Sequence, residues 1–232
     1  VIMAGGKGTR LQPYTDVLPK PLIPIYDETI TELIMSRFNE FGCSQFKMIV
    51  NYKKQLIKAF FSEVDKPYDV TFLEEQEFLG TAGGLKLLDG CYDSTFFLTN
   101  CDVLVEADYS NILKYHKENK SIITMVCAAK KVSIPYGTVH VNGNGNVERL
   151  DEKPNFSFLA NTGVYVIEPR FLEYIPDNTF IHITEVIEAC MKAGETIGMY
   201  PISENAWFDM GQMNELERMR KHIERKEATR FG

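Results

Sequence analysis

Val1-Ile-Met-Ala-Gly-Gly-Lys-Gly-Thr-Arg-Leu11 opens the chain, an apolar strand end that runs into a glycine-rich turn carrying two cations. Gly5, Gly6 and Gly8 admit positive φ and close approach of a ligand, so several backbone N–H groups can face one anion. Lys7 and Arg10 add charge that the amides lack. The turn is not a P-loop, because no Gly-Lys-Ser/Thr follows a first glycine at the right distance. It is not a dinucleotide fingerprint either, because Leu11 stands where a third glycine belongs.

Outward from this turn, Leu18-Pro-Lys-Pro-Leu-Ile-Pro24 sets Lys20 between two prolines in a segment too proline-rich for an α-helix. Taken singly, the glycine turn is also compatible with a tight connection and Lys20 with a solvated loop lysine. Further along, apolar runs at Phe46 to Val50, Val70 to Leu73, Thr95 to Thr99 and Ile122 to Ala129 read as strands. Between them lie amphipathic helices. Thr29 and Glu32 have capping-box spacing, Ile30, Leu33, Ile34, Phe38 and Phe41 share a face, and Gly42 can end the helix. Lys53 to Phe61 and Tyr109 to Asn119 repeat the scheme. This alternation predicts an α/β fold with a mainly parallel sheet covered on both faces and ligand loops at the carboxyl ends of its strands.

After Ala129 the pattern changes. Gly137 to Val141, Asn142-Gly-Asn-Gly145 and Val147 to Leu150 read as a hairpin, and Gly163 to Ile167 as a strand. Glu185 to Ala193 and Met213 to Arg225 read as helices, Thr196 to Pro201 as a strand, and the last residues as a polar end that can fray.

Composition bounds the function. The chain has 232 residues, 44% hydrophobic and 25% charged, with a formal net charge of −7. That length and balance suit one globular domain, and the acidic excess argues against non-specific binding to nucleic acid or acidic membranes. No apolar run approaches the roughly 20 residues of a membrane span and no signal-peptide pattern is present, so a cytoplasmic protein is expected. Five cysteines without a CxxC pair predict neither a disulfide framework nor a zinc site, and read as small buried residues.

Two carboxylates invite chemistry. Asp102 follows the apolar Thr95-Phe-Phe-Leu-Thr99, where a strand leaves the sheet, and offers the hard oxygen that Mg²⁺ prefers. Asp209 lies in Trp207-Phe-Asp-Met-Gly211, around the only tryptophan. Turn or helix-cap roles compete for both, and spacing alone does not show that they meet.

Gly-Gly-x-Gly-Thr-Arg-Leu followed closely by Pro-Lys-Pro resembles the signature of the sugar-1-phosphate nucleotidyltransferases, and further motifs of that family recur in order over essentially the whole chain. The resemblance implies a Rossmann-like three-layer α/β/α sandwich with a mixed, mainly parallel sheet (a glycosyltransferase-A-like nucleotidyltransferase fold) and a small β-rich sugar-binding portion. Within a single catalytic domain over 1–232, it implies a nucleotide part over about 1–129, a sugar part over about 130–211 and a C-terminal helix over about 212–228. The implied reaction joins a nucleoside triphosphate to a sugar-1-phosphate, giving a nucleotide sugar, a polysaccharide or glycan precursor, and pyrophosphate.

By this resemblance Arg10, Lys20, Asp102 and Asp209 are catalytic, the two aspartates holding Mg²⁺ at the α-phosphate. Met3, Ala4, Gly5, Gly6, Gly8 and Thr9 bind nucleotide. So does Glu75-Gln-Glu-Phe-Leu-Gly-Thr-Ala-Gly-Gly84, where Gln76 pairs with a base edge, Gly80 admits the base, Thr81 caps the following helix and Ala82 completes the segment. On the sugar side stand Tyr136, Gly137, Glu152, Lys153, Asn161 and Gly163, with the region near Thr184. Lys153 would bind the sugar's phosphate and Glu152 accept from its hydroxyls, although such neighbours are more often a solvated charge pair. His182 departs from the acidic or small polar residue of many relatives and reads most simply as a neutral surface histidine. Asn100-Cys-Asp102 and Val50-Asn-Tyr-Lys53 lean toward GTP with a hexose or hexosamine 1-phosphate. Alternatives are a catalytically silent sensor on the same scaffold, or transfer to a non-sugar phosphate such as phosphocholine. Val1 already lies in a strand with no initiator methionine before it, so the chain reads as a fragment. Enzymes that this chain resembles sometimes carry an extra N-terminal regulatory module, such as a pair of CBS domains, and the start of the chain would fit its removal; homo-oligomerisation stays open.

Overall fold

The computed structural model describes residues 1–230. Its frame is a seven-stranded sheet built from β1 (Ile2–Ala4), β2 (Gln45–Val50), β3 (Asp69–Glu74), β4 (Phe96–Asn100), β5 (Ile123–Ser133), β6 (Asn155–Ile167) and β7 (Ile197–Ser203) in the order β7-β5-β6-β4-β1-β2-β3. β4, β1, β2 and β3 run parallel to one another and β7 runs parallel to β5, whereas β6 is antiparallel to both neighbours. The expected mixed, mainly parallel sheet is therefore observed.

Period-two alternation divides the core into two layers. Met48 and Val50 pack on one side of β2 and Ile49 on the other; in β6, Val164 and Val166 face the first side and Tyr165 and Ile167 the second. The first layer is closed by α1 (Ile30–Asn39), α2 (Lys54–Glu63), α3 (Tyr109–Glu118) and α5 (Met213–Arg230), and the second by 3₁₀ segments and α4 (Ile183–Lys192). Full burial of each Ile, Leu, Val or Phe contributes roughly 1.5–3 kcal/mol. α1 starts as its sequence predicts: the Thr29 hydroxyl accepts the Glu32 N–H at 3.2 Å, and the Glu32 carboxylate accepts the Thr29 N–H at 2.8 Å. Gly42 follows the helix at φ 84°.

β5 and β6 outrun the sheet. Their outer parts, Lys130–Ser133 paired with Asn155–Phe158, form an arm with the hairpin Thr138–Val141/Val147–Asp151. Residue 129 thus lies within β5. Among the described residues no helix is long and apolar enough to cross a membrane. Two cysteines depart from the expected burial: Cys43 is half-buried and Cys91 exposed, in the loop before β4, where no core strand passes.

Candidate active site

The parallel strands β1, β3 and β4 deliver their loops to one edge of the sheet, and a cleft of about 440 Å³ opens there. The glycine turn forms one wall. Gly8 adopts φ 69°, ψ 34°, where an L side chain is strained and a Cβ would stand 2.9 Å from Thr15 and 3.1 Å from Lys20. Its carbonyl accepts the Leu11 N–H at 2.9 Å and the Thr15 hydroxyl at 3.0 Å, which pins the turn. The Pro-Lys-Pro segment makes a single 3₁₀ turn over Lys20–Leu22 and sends the Lys20 ammonium into an ion pair with Asp102. Both partners are nearly buried, so Lys20 is held rather than solvated.

Two three-residue strands bring the aspartates together. Val103–Val105 and Trp207–Asp209 pair antiparallel with Asp209 opposite Val103, and the Met210 N–H then donates to the Asp102 carbonyl at 2.8 Å. A Cβ on Gly211 would fall 2.5 Å from Asp102 Oδ2, 2.9 Å from Asp209 Oδ1 and 3.1 Å from Arg10 Nη2. The missing side chain thus leaves a small cradle with a carboxylate oxygen from each aspartate on its wall. Two hard oxygen donors about such a space, open to a cleft, fit Mg²⁺, which takes one or two carboxylates and fills its shell with water and phosphate oxygens. Among the described residues no group of three or more His, Cys, Asp or Glu side chains forms an all-protein cage. Asp209 also accepts the Gly211 N–H at 3.1 Å and Gln212 Nε2 at 3.3 Å just before α5, so its turn role coexists with its place in the cleft. Arg10 lies 4.0 Å from Asp209.

Met3, Gly5, Gly6, Gly8, Arg10, Lys20, Gly80, Thr81, Asp102, Asn161, Gly163 and Asp209 line the cleft. Gly80, at φ 81°, lies so close to the Ile181 carbonyl that a Cβ would stand 2.6 Å from it. Gly163, at φ 88°, makes room for the Asn100 amide. Asn161 donates to the Tyr165 hydroxyl at 2.7 Å and accepts the Gly163 N–H at 3.2 Å.

Other candidates lie elsewhere. Ala4 and Ala82 are buried beneath the cleft, and Thr9 is exposed at the start of a 3₁₀ turn. Gln76 is exposed and does not line the cavity; its neighbour Glu75 does, because the parity of β3 sends odd residues toward the glycines. Thr81 does not cap a helix following it. That segment is a 3₁₀ run, Gly83–Leu88, without a side-chain cap, and the Thr81 hydroxyl instead accepts the Ile183 N–H at 2.9 Å, at the start of α4. Tyr136, Gly137, Glu152 and Lys153 are exposed on the arm, outside the cleft lining. Gly137 lies against the Glu152 carboxylate, 3.1 Å from a would-be Cβ, and Lys153 takes φ 45°. His182 is exposed at the N-cap of α4; its N–H donates to Glu185 at 2.7 Å and its Nδ1 lies 3.5 Å from the Thr81 hydroxyl.

Glu75 is the residue that motif reading passes over. It is 2% exposed, neither carboxylate oxygen has a hydrogen-bond partner, and among the described residues no cation pairs with it. A Cβ on Gly5 or on Gly84 would collide with its carboxylate. Burial pushes its pKa from 4.5 up to about 7, against a smaller opposing effect of the Leu79 N–H. The adjacent Glu74 points to the other layer, pairs with Lys54 at 2.8 Å and with Lys58, and is held down at about 2 by these two lysines. Strand parity alone separates the two carboxylates.

A glycine cradle, two cations and two converging carboxylates at the carboxyl edge of a doubly wound sheet define a domain class that handles phosphorylated ligands. Residues 1–226 match the family model described as Nucleotidyl transferase, and the chain belongs to that family. It is 31% identical over 221 residues to the mannose-1-phosphate guanyltransferase of Yarrowia lipolytica, covering 91% of this chain and 60% of that protein. It is 30% identical over 195 residues to the UTP–glucose-1-phosphate uridylyltransferase of a Synechocystis strain, covering 76% of this chain and 50% of that protein. The chain thus spans half to three-fifths of the length of these two relatives. In fold it is similar to HddC from Yersinia pseudotuberculosis, with a TM-score of 0.73 at 22% identity over 96% of this chain and 97% of that one.

Proposed function

We propose that the chain transfers a nucleotidyl group from a nucleoside triphosphate, GTP by preference, to a hexose or hexosamine 1-phosphate in the cytoplasm, releasing pyrophosphate. The convergence of the glycine turn, Arg10, Lys20, Asp102 and Asp209 in one cleft carries this reading. Similarity to enzymes named as mannose-1-phosphate guanyltransferases supports the choice of base and sugar class.

In this reading a sugar-phosphate oxygen attacks the α-phosphorus, the bond to the β-phosphate oxygen breaks, and pyrophosphate leaves. The nucleophile is already anionic, so no general base is required. What the site must supply is alignment of two anions and relief of their repulsion. The glycine amides and Arg10 hold the triphosphate, and Lys20 offsets charge on the phosphoryl oxygens. Lys153 and Glu152 meet the sugar phosphate and sugar hydroxyls from the arm. Asp102 and Asp209 would hold Mg²⁺, which neutralises phosphate charge when bound.

The test is pyrophosphate release with Mg²⁺ across a grid of nucleoside triphosphates and sugar-1-phosphates, with Asp102→Asn as blank. One pair should stand out, and Asp102→Asn should cost roughly 100-fold or more, about 2.7 kcal/mol in the barrier. Near-wild-type turnover in the variant would remove Asp102 from the mechanism, and silence across the grid would remove the transferase reading.

A further inference from the structure

The two prolines that flank Lys20 leave a deficit of donors on the chain just before it. Tyr14–Val17 makes one turn of α-helix, closed by the Leu18 N–H donating to the Tyr14 carbonyl at 3.0 Å. The carbonyls of Thr15, Asp16 and Val17 would next look to the N–H groups four residues on, at positions 19, 20 and 21. Pro19 and Pro21 have none, and Pro19 ends the helix before Lys20 can serve. One distant side chain supplies the donors instead. The Lys53 ammonium lies 3.3 Å from the Thr15 carbonyl oxygen, 2.6 Å from that of Asp16 and 2.8 Å from that of Val17. An ammonium has three donors and no acceptor, so Lys53 commits all three to this turn and keeps none for a ligand. Its charge also suits the negative end of a helical turn.

We propose that Lys53 is a positioning residue for the triphosphate, fixing the chain between Arg10 and Lys20 so that both cations face the cleft; this rests on the nucleotidyl transfer proposed above and deepens it. The connection after β2 holds that span from both sides. The Tyr52 N–H donates to the Gly5 carbonyl at 3.4 Å, where the glycine turn begins, and Lys53 holds the helical turn that leads into Pro19 and Lys20. Thr15 joins the two, its hydroxyl donating to the Gly8 carbonyl at 3.0 Å. Packing adds little, because Thr15 is the only buried residue of the turn and Tyr14 and Val17 are exposed. Lys53 itself adopts φ 50°, ψ 33°, a left-handed conformation that residues other than glycine rarely take and that persists where the surroundings impose it. Without its ammonium, three carbonyls before Lys20 lose their donor and the segment is free to shift, and a displacement of about 1 Å in a group that aligns reactants can cost about 100-fold in rate.

The test is calorimetric titration of GTP, UTP, ATP and CTP, each with Mg²⁺, into wild type, Lys53→Met and Lys53→Arg well below their melting temperatures, alongside turnover in the grid. Lys53 is half-buried, and methionine keeps its stem while removing the donors, so the variant should fold, which its melting curve checks. It should weaken the triphosphate that wild type binds best by roughly 10-fold or more and lower kcat by roughly 10- to 100-fold, with KM for the sugar phosphate unchanged within about 3-fold. Lys53→Arg, whose guanidinium can also donate to carbonyls at a helix C-terminus, should keep triphosphate affinity within about 3-fold of wild type. A folded Lys53→Met that binds triphosphate as wild type does overturns the inference, since Lys53 would then only stabilise the turn, and so does an arginine variant as impaired as the methionine one. Triphosphate binding that depends on Lys53 in a protein silent across the grid would refute the transfer and leave the positioning standing, so the two fail separately.

Discussion

Replacing Glu75 by glutamine should flatten the pH dependence of stability in the protein without nucleotide. In the folded chain burial holds the Glu75 carboxyl at about 7, against an ordinary value of 4.5. An acid whose folded-state pKa is raised favours its neutral form in the fold. Its contribution is fully present below about pH 4.5 and is lost as pH rises through about 7. At about 1.4 kcal/mol per pH unit the whole excursion is worth about 3 kcal/mol. Between about pH 5 and pH 8 wild type should therefore lose about 2–3 kcal/mol that Glu75→Gln retains. For a chain of this length that is roughly 5–10 °C in melting temperature. Thermal melts of both proteins at four pH values across this range measure it directly, because other titrating groups cancel in the difference. Parallel curves would show that Glu75 is not held neutral by burial, and the account of it as an unpartnered buried carboxyl would be wrong.

Lys20→Met should destabilise the fold by about 3 kcal/mol, because it leaves the Asp102 carboxylate buried without its cation. The double variant with Asp102→Asn should recover most of that loss, and strict additivity in the cycle would refute the pairing. Thr81→Val should cost about 1 kcal/mol, since Thr81 caps the start of α4; an unchanged melting temperature would deny it. Gly211→Ala should abolish stimulation of pyrophosphate release by Mg²⁺, because its methyl would occupy the cradle between Asp102 and Asp209; retained stimulation at wild-type Mg²⁺ concentrations would place the metal elsewhere.

The layered α/β frame was legible because its determinants are local. Phe46–Val50 carries apolar residues on both faces, with Lys47 the one exception, as suits a central parallel strand, and Thr29 with Glu32 fixes the start of α1 by two reciprocal hydrogen bonds. The glycine turn and Lys20 were legible for the same reason: glycines and prolines restrict the backbone at their own positions. What stayed hidden depends on register between distant segments. That Asp102 and Asp209 share a cradle follows from pairing of Val103–Val105 with Trp207–Asp209, two strands too short to leave a periodic signal. Thr81 caps a helix that begins 102 residues later. The exchange of Gln76 for Glu75 at the cleft turns on one step of strand parity. Counting from Leu73, which packs with the second core layer, would have placed Glu75 inward and Gln76 outward.

Charge in the cleft explains why its parts belong together. Arg10 and Lys20 stand against Asp102 and Asp209, so the four groups sum to no net charge, and an ionised Glu75 would tip the balance negative. A triphosphate meeting a sugar phosphate brings several further negative charges, which a chain of net charge −7 does not attract through its long-range field. In the proposed reaction, binding would then come from short-range terms: the glycine amides, whose dipoles need no counter-charge, and the Mg²⁺ that the two aspartates would hold. Lys20 has a double part in this arrangement. Its ion pair keeps Asp102 from standing buried and unpaired, and if Asp102 were to hold Mg²⁺ as proposed, the ammonium would be released to meet phosphate. The glycine at 211 would permit that exchange, since a Cβ there would close the space that both carboxylates border.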